Sequence, residues 1–174
     1  SDVYKRQDIY TAGDTDTLIR IFVYPYSSTP SYTLDVGQEI EDMRVADMNN
    51  DNLPDILVLT TENQIRIYCH SGNLLTPYGI TPTTILYISG GNVDGVSIDA
   101  GDINGDGKKD IVMTCCSSNP STGSTVCGPC VCIRNQENTV FGCTFLLPSD
   151  LTGLMPMSHG CGSVATGDVN GDGY

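Results

Sequence analysis

The stretch Asp102-Ile103-Asn104-Gly105-Asp106-Gly107-Lys108-Lys109-Asp110-Ile111-Val112-Met113 decides the fold. Oxygen-bearing side chains stand at its positions one, three, five and nine: Asp102, Asn104, Asp106 and Asp110. Gly107, at position six, permits a sharp turn with positive φ. Lys108, at position seven, can offer its backbone carbonyl. Alternate oxygens wrapped by a tight turn supply the hard ligands that Ca²⁺ takes, six to eight of them at roughly 2.3–2.6 Å. Without a cation, three clustered carboxylates repel one another. An EF-hand wants a bidentate Glu at position twelve. Met113 stands there, inside a short apolar run that reads as a strand. A dockerin-type loop would lead into a helix, and no helical periodicity follows. The plainer alternative is an Asp/Asn/Gly turn without metal.

The pattern recurs on both sides. Met43-Arg-Val-Ala-Asp47-Met-Asn49-Asn-Asp51-Asn-Leu53-Pro-Asp55 precedes it, and Val164-Ala-Thr-Gly-Asp168-Val-Asn170-Gly-Asp172-Gly-Tyr174 follows it. The first aspartates, 47, 102 and 168, are 55 and then 66 residues apart. The expected metal ligands are therefore Asp47, Asn49, Asp51, the Leu53 carbonyl and Asp55 in one loop. Asp102, Asn104, Asp106, the Lys108 carbonyl and Asp110 serve the next, and Asp168, Asn170 and Asp172 the third. Position six of the first loop is Asn52, which adopts left-handed φ less readily than Gly, so that site is expected to be the weaker.

Alternating apolar positions lead into each loop, and a β-rich run follows, Ile56–Leu59 or Ile111–Met113. Further strand candidates follow at Ile65–Tyr68 and Val131–Ile133, then at Thr84–Ile88 and Val140–Leu147. One repeat is thus about four short strands, the signature of a β-propeller blade. The fold class is all-β: blades of four antiparallel strands, about two and a half of them. Asp8-Ile-Tyr-Thr-Ala and Leu18-Ile-Arg-Ile-Phe22 align with the strands after the first loop, which marks a partial unit upstream. Residues 1–7 fit no part of the repeat and are expected to be a non-native leader. Residues 8–46 read as a partial blade plus the first strand of the next. Residues 47–101 and 102–167 each carry a loop and its blade, and 168–174 is a truncated third loop. The chain is therefore expected to be a window of a longer propeller, with further blades as partners.

Composition agrees. Of 174 residues, 39% are hydrophobic, which argues against disorder. The formal net charge of −13 disfavours nucleic acid and anionic lipid as partners. No apolar run approaches the length of a membrane-spanning helix. The acids are 17 Asp and 4 Glu, a bias towards turns and hard-metal loops and away from helical surfaces.

Asp102-Ile-Asn-Gly-Asp-Gly-Lys-Lys-Asp110, preceded by a small residue and followed by a strand, resembles the FG-GAP/VCBS repeat found in integrin α propellers and many secreted bacterial proteins. Asn135-Gln-Glu-Asn-Thr-Val-Phe141-Gly142 resembles the turn into that family's Phe-Gly element. The family's later Gly-Ala-Pro element has no counterpart here. The resemblance covers most of residues 8–174. It implies an extracellular, secreted or cell-surface calcium-binding propeller for adhesion or carbohydrate recognition, with structural calcium and a protein or carbohydrate ligand. The loops that would recognise that ligand diverge too far to assign. A non-catalytic propeller domain of a secreted carbohydrate-active enzyme is the rival reading.

Eight cysteines at 69, 115, 116, 127, 130, 132, 143 and 161 fit an oxidising compartment. Cys115, Cys116, Cys127, Cys130, Cys132, Cys143 and Cys161 are the disulfide candidates, around an enlarged hairpin at 115–132. Their pairing is not readable from sequence. A zinc site would want a second C-x-x-C. Cys127-Gly-Pro-Cys130 matches a redox motif, but that chemistry needs a helix N-terminus, and Val131-Cys-Ile133 reads as a strand. Gly160-Cys-Gly162-Ser-Val-Ala165 lacks the strand and helix of a dinucleotide loop. Met155-Pro-Met157-Ser-His159-Gly-Cys161 reads as an inter-strand loop. Two scattered histidines, His70 and His159, supply no Ser-His-Asp arrangement, and every clustered Asp is better used as a metal ligand than as a glycosidase acid. No catalytic residue is assigned.

Overall fold

The computed structural model describes residues 8–13, 16–73, 76–87, 93–118, 125–134, 141–145 and 162–167. Among them the chain is all-β without a helix. The strands are β1 (Ile9–Ala12), β2 (Leu18–Phe22), β3 (Tyr32–Asp35), β4 (Ile40–Ala46), β5 (Asp55–Thr60), β6 (Gln64–Tyr68), β7 (Thr84–Tyr87), β8 (Val93–Gly101), β9 (Asp110–Ser118), β10 (Thr125–Arg134) and β11 (Phe141–Phe145). They form three antiparallel meanders in the orders β1-β2-β3, β4-β5-β6-β7 and β8-β9-β10-β11. The two four-stranded sheets are the blades read from the repeats, and the three-stranded sheet is the partial unit.

Within the middle sheet β5 is buried on both faces, which explains why it reads Asp-Ile-Leu-Val-Leu-Thr with no polar residue at its centre. Successive strand residues point to opposite faces. Leu57 and Leu59 pack with Ile98, Ile111, Met113, Cys130 and Cys132 of the third sheet. Ile56 and Val58 pack with Ile19, Ile21, Leu34 and Val36 on the side of the first sheet. Fully burying a side chain of this size is worth about 1.5–3 kcal/mol, so β5 anchors both interfaces.

A bulge recurs at one point of the repeat, between Ile40 and Asp42 in β4 and between Gly95 and Ser97 in β8. Bulges re-aim the side chains beside them. Here they present Asp42 and Ser97 to the neighbouring repeat. Asp42 Oδ2 accepts the Ser97 hydroxyl and the Ile98 N–H. Arg44 lies between Asp42, at 2.7 Å, and Asp99 of β8, at 3.6 Å. Residues 162–167 run beside β8, where Thr166 N–H and Oγ1 both donate to Asp99 Oδ2 at 2.5 and 2.9 Å.

In the enlarged hairpin, Cys115, Cys116, Cys127, Cys130 and Cys132 lie in β9 and β10, and Cys127-Gly-Pro-Cys130 is wholly strand. The strands expected at Thr84–Ile88 and Val140–Leu147 are described over Thr84–Tyr87 and Phe141–Phe145. Residues 1–7, 135–140, 146–161 and 168–174, with the expected leader, Cys161 and the third loop, lie outside the described residues.

Candidate functional site

Each acidic loop joins the first two strands of a blade, β4 to β5 and β8 to β9. The two loops share four backbone bonds position for position, and the second adds one from Gly105. In the second, Asp102 Oδ1 accepts the N–H groups of Gly105 and Asp106 at 2.8 and 3.1 Å, and Oδ2 that of Gly107 at 2.7 Å. Asn104 Oδ1 accepts Asp106 N–H at 2.9 Å, and Asp106 Oδ1 accepts Lys108 N–H at 3.0 Å. In the first, Asp47 takes Asp51 and Asn52, Asn49 takes Asp51, and Asp51 takes Leu53, at 2.8–3.1 Å. Asn and Asp side chains favour such local turns because they bond backbone groups two residues on.

The backbone meets the same demand twice. Positions four and six are left-handed in both loops: Asn50 and Asn52 at φ 63° and 66°, Gly105 and Gly107 at 75° and 81°. The requirement at position six is the one read from the sequence. That at position four is new, and Gly105 beside Asn50 is the signal that could have found it. Asn tolerates this region better than other side chains but less well than Gly.

The ninth-position acids behave differently from the rest. Asp55 and Asp110 are both 0% exposed. Asp55 Oδ2 accepts Met48 N–H and Oδ1 accepts His70 N–H, each at 2.8 Å, so it ties its loop to the end of β6. Burial pushes the Asp55 carboxyl above the usual range; the two N–H bonds oppose this, and the charges of Asp51 and Asp47 add to it. Asp110 Oδ2 accepts Ile103 N–H at 3.1 Å, the counterpart of the Met48 bond.

The loops also touch. Asn50 Nδ2 donates to the Gly107 carbonyl at 3.0 Å across 57 residues of sequence. Among the described residues, no group of three or more His, Cys, Asp or Glu side chains is drawn together as a metal-binding cluster. Instead, each loop offers two accessible carboxylates, one Asn oxygen and the position-seven carbonyl around a pre-shaped turn. That donor set is all oxygen, and it suits a hard cation. Tyr24 and Tyr26, about half exposed, stand edge to face at 5.7 Å in the connection between β2 and β3.

A family model, described as the FG-GAP-like repeat, matches residues 47–113. No curated protein and no solved structure matches the chain. The match begins at the first residue of the first loop and ends at Met113, so it contains both loops, β5 to β8 and the start of β9. Residues 47–113 of this chain are thus similar to the FG-GAP-like repeat.

Proposed function

We propose that the chain is a calcium-binding propeller module for binding or adhesion on the extracellular side, in which calcium is structural. The observation that carries this reading is the set of matching side-chain-to-backbone bonds in the two loops. Both keep Asp-x-Asn-x-Asp side-chain oxygens on the rim of a turn whose N–H groups are already satisfied. Asp47, Asn49, Asp51, the Leu53 carbonyl and Asp55 would hold one ion. Asp102, Asn104, Asp106, the Lys108 carbonyl and Asp110 would hold the other. The cation would offset the repulsion among carboxylates that lie in one turn. A protein or carbohydrate ligand would be bound elsewhere on the assembled propeller, with the remaining blades as partners.

Calcium that binds only the folded state stabilises it by RT ln(1 + [L]/Kd), about 2.7 kcal/mol per site at a hundredfold excess over Kd. The test is thermal unfolding in calcium and in EGTA, for the unaltered chain and for Asp102→Ala/Asp106→Ala. The expected result is a calcium-dependent rise in midpoint that the variant largely loses. Equal midpoints in calcium and EGTA for the unaltered chain would overturn the proposal and leave metal-free Asp/Asn turns.

A further inference from the structure

The third sheet brings cysteines face to face. Across β9 and β10 the register pairs Cys116 with Cys127. Across β10 and β11 it pairs Cys132 with Cys143. Directly opposed residues of antiparallel strands have Cα atoms about 4.5 or 5.5 Å apart. Both spacings fall in the range of about 4.4–6.8 Å that a disulfide spans.

The crossed pairings fail on distance. Cys132 stands five residues beyond Cys127 on β10, about 17 Å at the rise of a strand. That excludes Cys116 with Cys132 and Cys127 with Cys143. Cys115 opposes Gly128. It is diagonal to Cys130 at about 7–8 Å, beyond the reach of an unstrained bridge. Cys130 itself opposes Met113 on one side and Phe145 on the other.

The faces follow from parity. The β9–β10 register is unbroken, and Cys132 opposes Ile111, five residues before Cys116 on β9, so Cys116 and Cys132 lie on opposite faces. Cys132 is fully buried in the cluster shared with the middle sheet, whereas Cys116 is half-buried.

We propose that two cross-strand disulfides, Cys116–Cys127 and Cys132–Cys143, staple β9, β10 and β11, one on each face of the sheet. Each bond forms as two thiols give up two protons and two electrons to a low-molecular-weight disulfide such as oxidised glutathione, which leaves as two thiols. The pair that includes the half-buried Cys116 is the one that a reductant reaches first. The pair that includes the fully buried Cys132 is reduced only when the sheet opens. The hairpin is thereby a graded redox element. The proposal stands independently of calcium, because the four cysteines lie in β9, β10 and β11 and none belongs to an acidic loop.

The test equilibrates the purified chain with oxidised glutathione, then blocks remaining thiols by alkylation in denaturant. Digestion with pepsin at acid pH, where thiolate exchange is suppressed, and mass spectrometry follow. Linked peptides joining 116 to 127 and 132 to 143 are expected. Graded dithiothreitol should open the first pair before the second. Cys116→Ser should free the Cys127 thiol to alkylation and leave the 132–143 link intact. Alkylation of all four thiols after oxidation, any crossed linkage, or stoichiometric zinc held by these thiols would overturn the proposal. If Cys116→Ser does not fold, the map of the unaltered chain decides alone.

Discussion

Asp42 Oδ2 on β4 accepts the backbone N–H of Ile98 on β8 at 2.9 Å, across 56 residues of sequence. The same relationship recurs one repeat later, where Ser97 Oγ accepts Val164 N–H at 3.2 Å. Asp42 and Ser97 both stand five residues before the first Asp of their loops, and Ile98 and Val164 four before theirs. One repeat therefore holds the next by a side-chain oxygen on a backbone donor. Asp42→Ala strands the Ile98 N–H and the Ser97 hydroxyl between two sheets. Leaving a buried polar group unsatisfied costs about 1–3 kcal/mol. The urea midpoint of Asp42→Ala should fall accordingly. That of Asp42→Asn, which keeps an acceptor oxygen, should fall less. Equal midpoints for the two variants would show that the acceptor is not what matters.

Asp55 should be more sensitive than its neighbours Asp47 and Asp51. Its two oxygens satisfy Met48 and His70 from inside the fold, whereas Asp51 is exposed. In EGTA, Asp55→Ala should lose about 1–3 kcal/mol for each orphaned donor. Asp51→Ala under the same conditions should change stability much less. Chemical denaturation of the two variants checks the order.

Gly101 closes on Thr166. A Cβ on Gly101 would lie 2.8 Å from both Cβ and Oγ1 of Thr166. Gly101→Ala must therefore push the 162–167 segment off β8 and weaken its bonds to Asp99. Overpacking of this kind costs about 1–3 kcal/mol. Faster hydrogen exchange at the Thr166 amide is the expected readout. Unchanged protection there would show that the segment is not held by this contact.

The tyrosine pair gives the alkaline limit of stability. Tyr10 and Tyr78 hydroxyls lie 3.2 Å apart, and Tyr78 donates to the Pro54 carbonyl at 2.5 Å. Burial pushes both phenols above the ordinary value of 10.0. A raised folded pKa means stability that is fully present below the unfolded pKa and lost as pH rises past about 10. Tyrosinate absorbance for these two rings should then appear together with unfolding. Tyr78→Phe should make the loss above pH 10 shallower, and an unchanged slope would place the coupling elsewhere.

How much was legible in the sequence follows from which forces are local. The Asp-x-Asn-x-Asp spacing, the left-handed position six and the β-rich runs beside it were readable because turn chemistry and the two-residue strand period act within a few residues. The strands at Ile65–Tyr68 and Ile111–Met113 follow from the same logic. The cysteine-bearing strands were half legible. Val131–Ile133 reads as strand, but the extension of β9 to Ser118 and of β10 back to Thr125 comes from pairing along the whole hairpin.

What only the tertiary structure decided are the relations between repeats. Nothing near Asp42 in sequence names Ile98 as its donor, and nothing near Asn50 names Gly107. The burial of Asp55 and Asp110, and the two-faced burial of β5, depend on sheets that meet from both sides. Likewise, the opposition of Cys116 to Cys127 and of Cys132 to Cys143 is a matter of register, since a slip of one residue would send every side chain to the other face. Local chemistry specifies loops and strands; strand register, and the docking of sheets that joins residues 50 or more positions apart, determine which side chains meet.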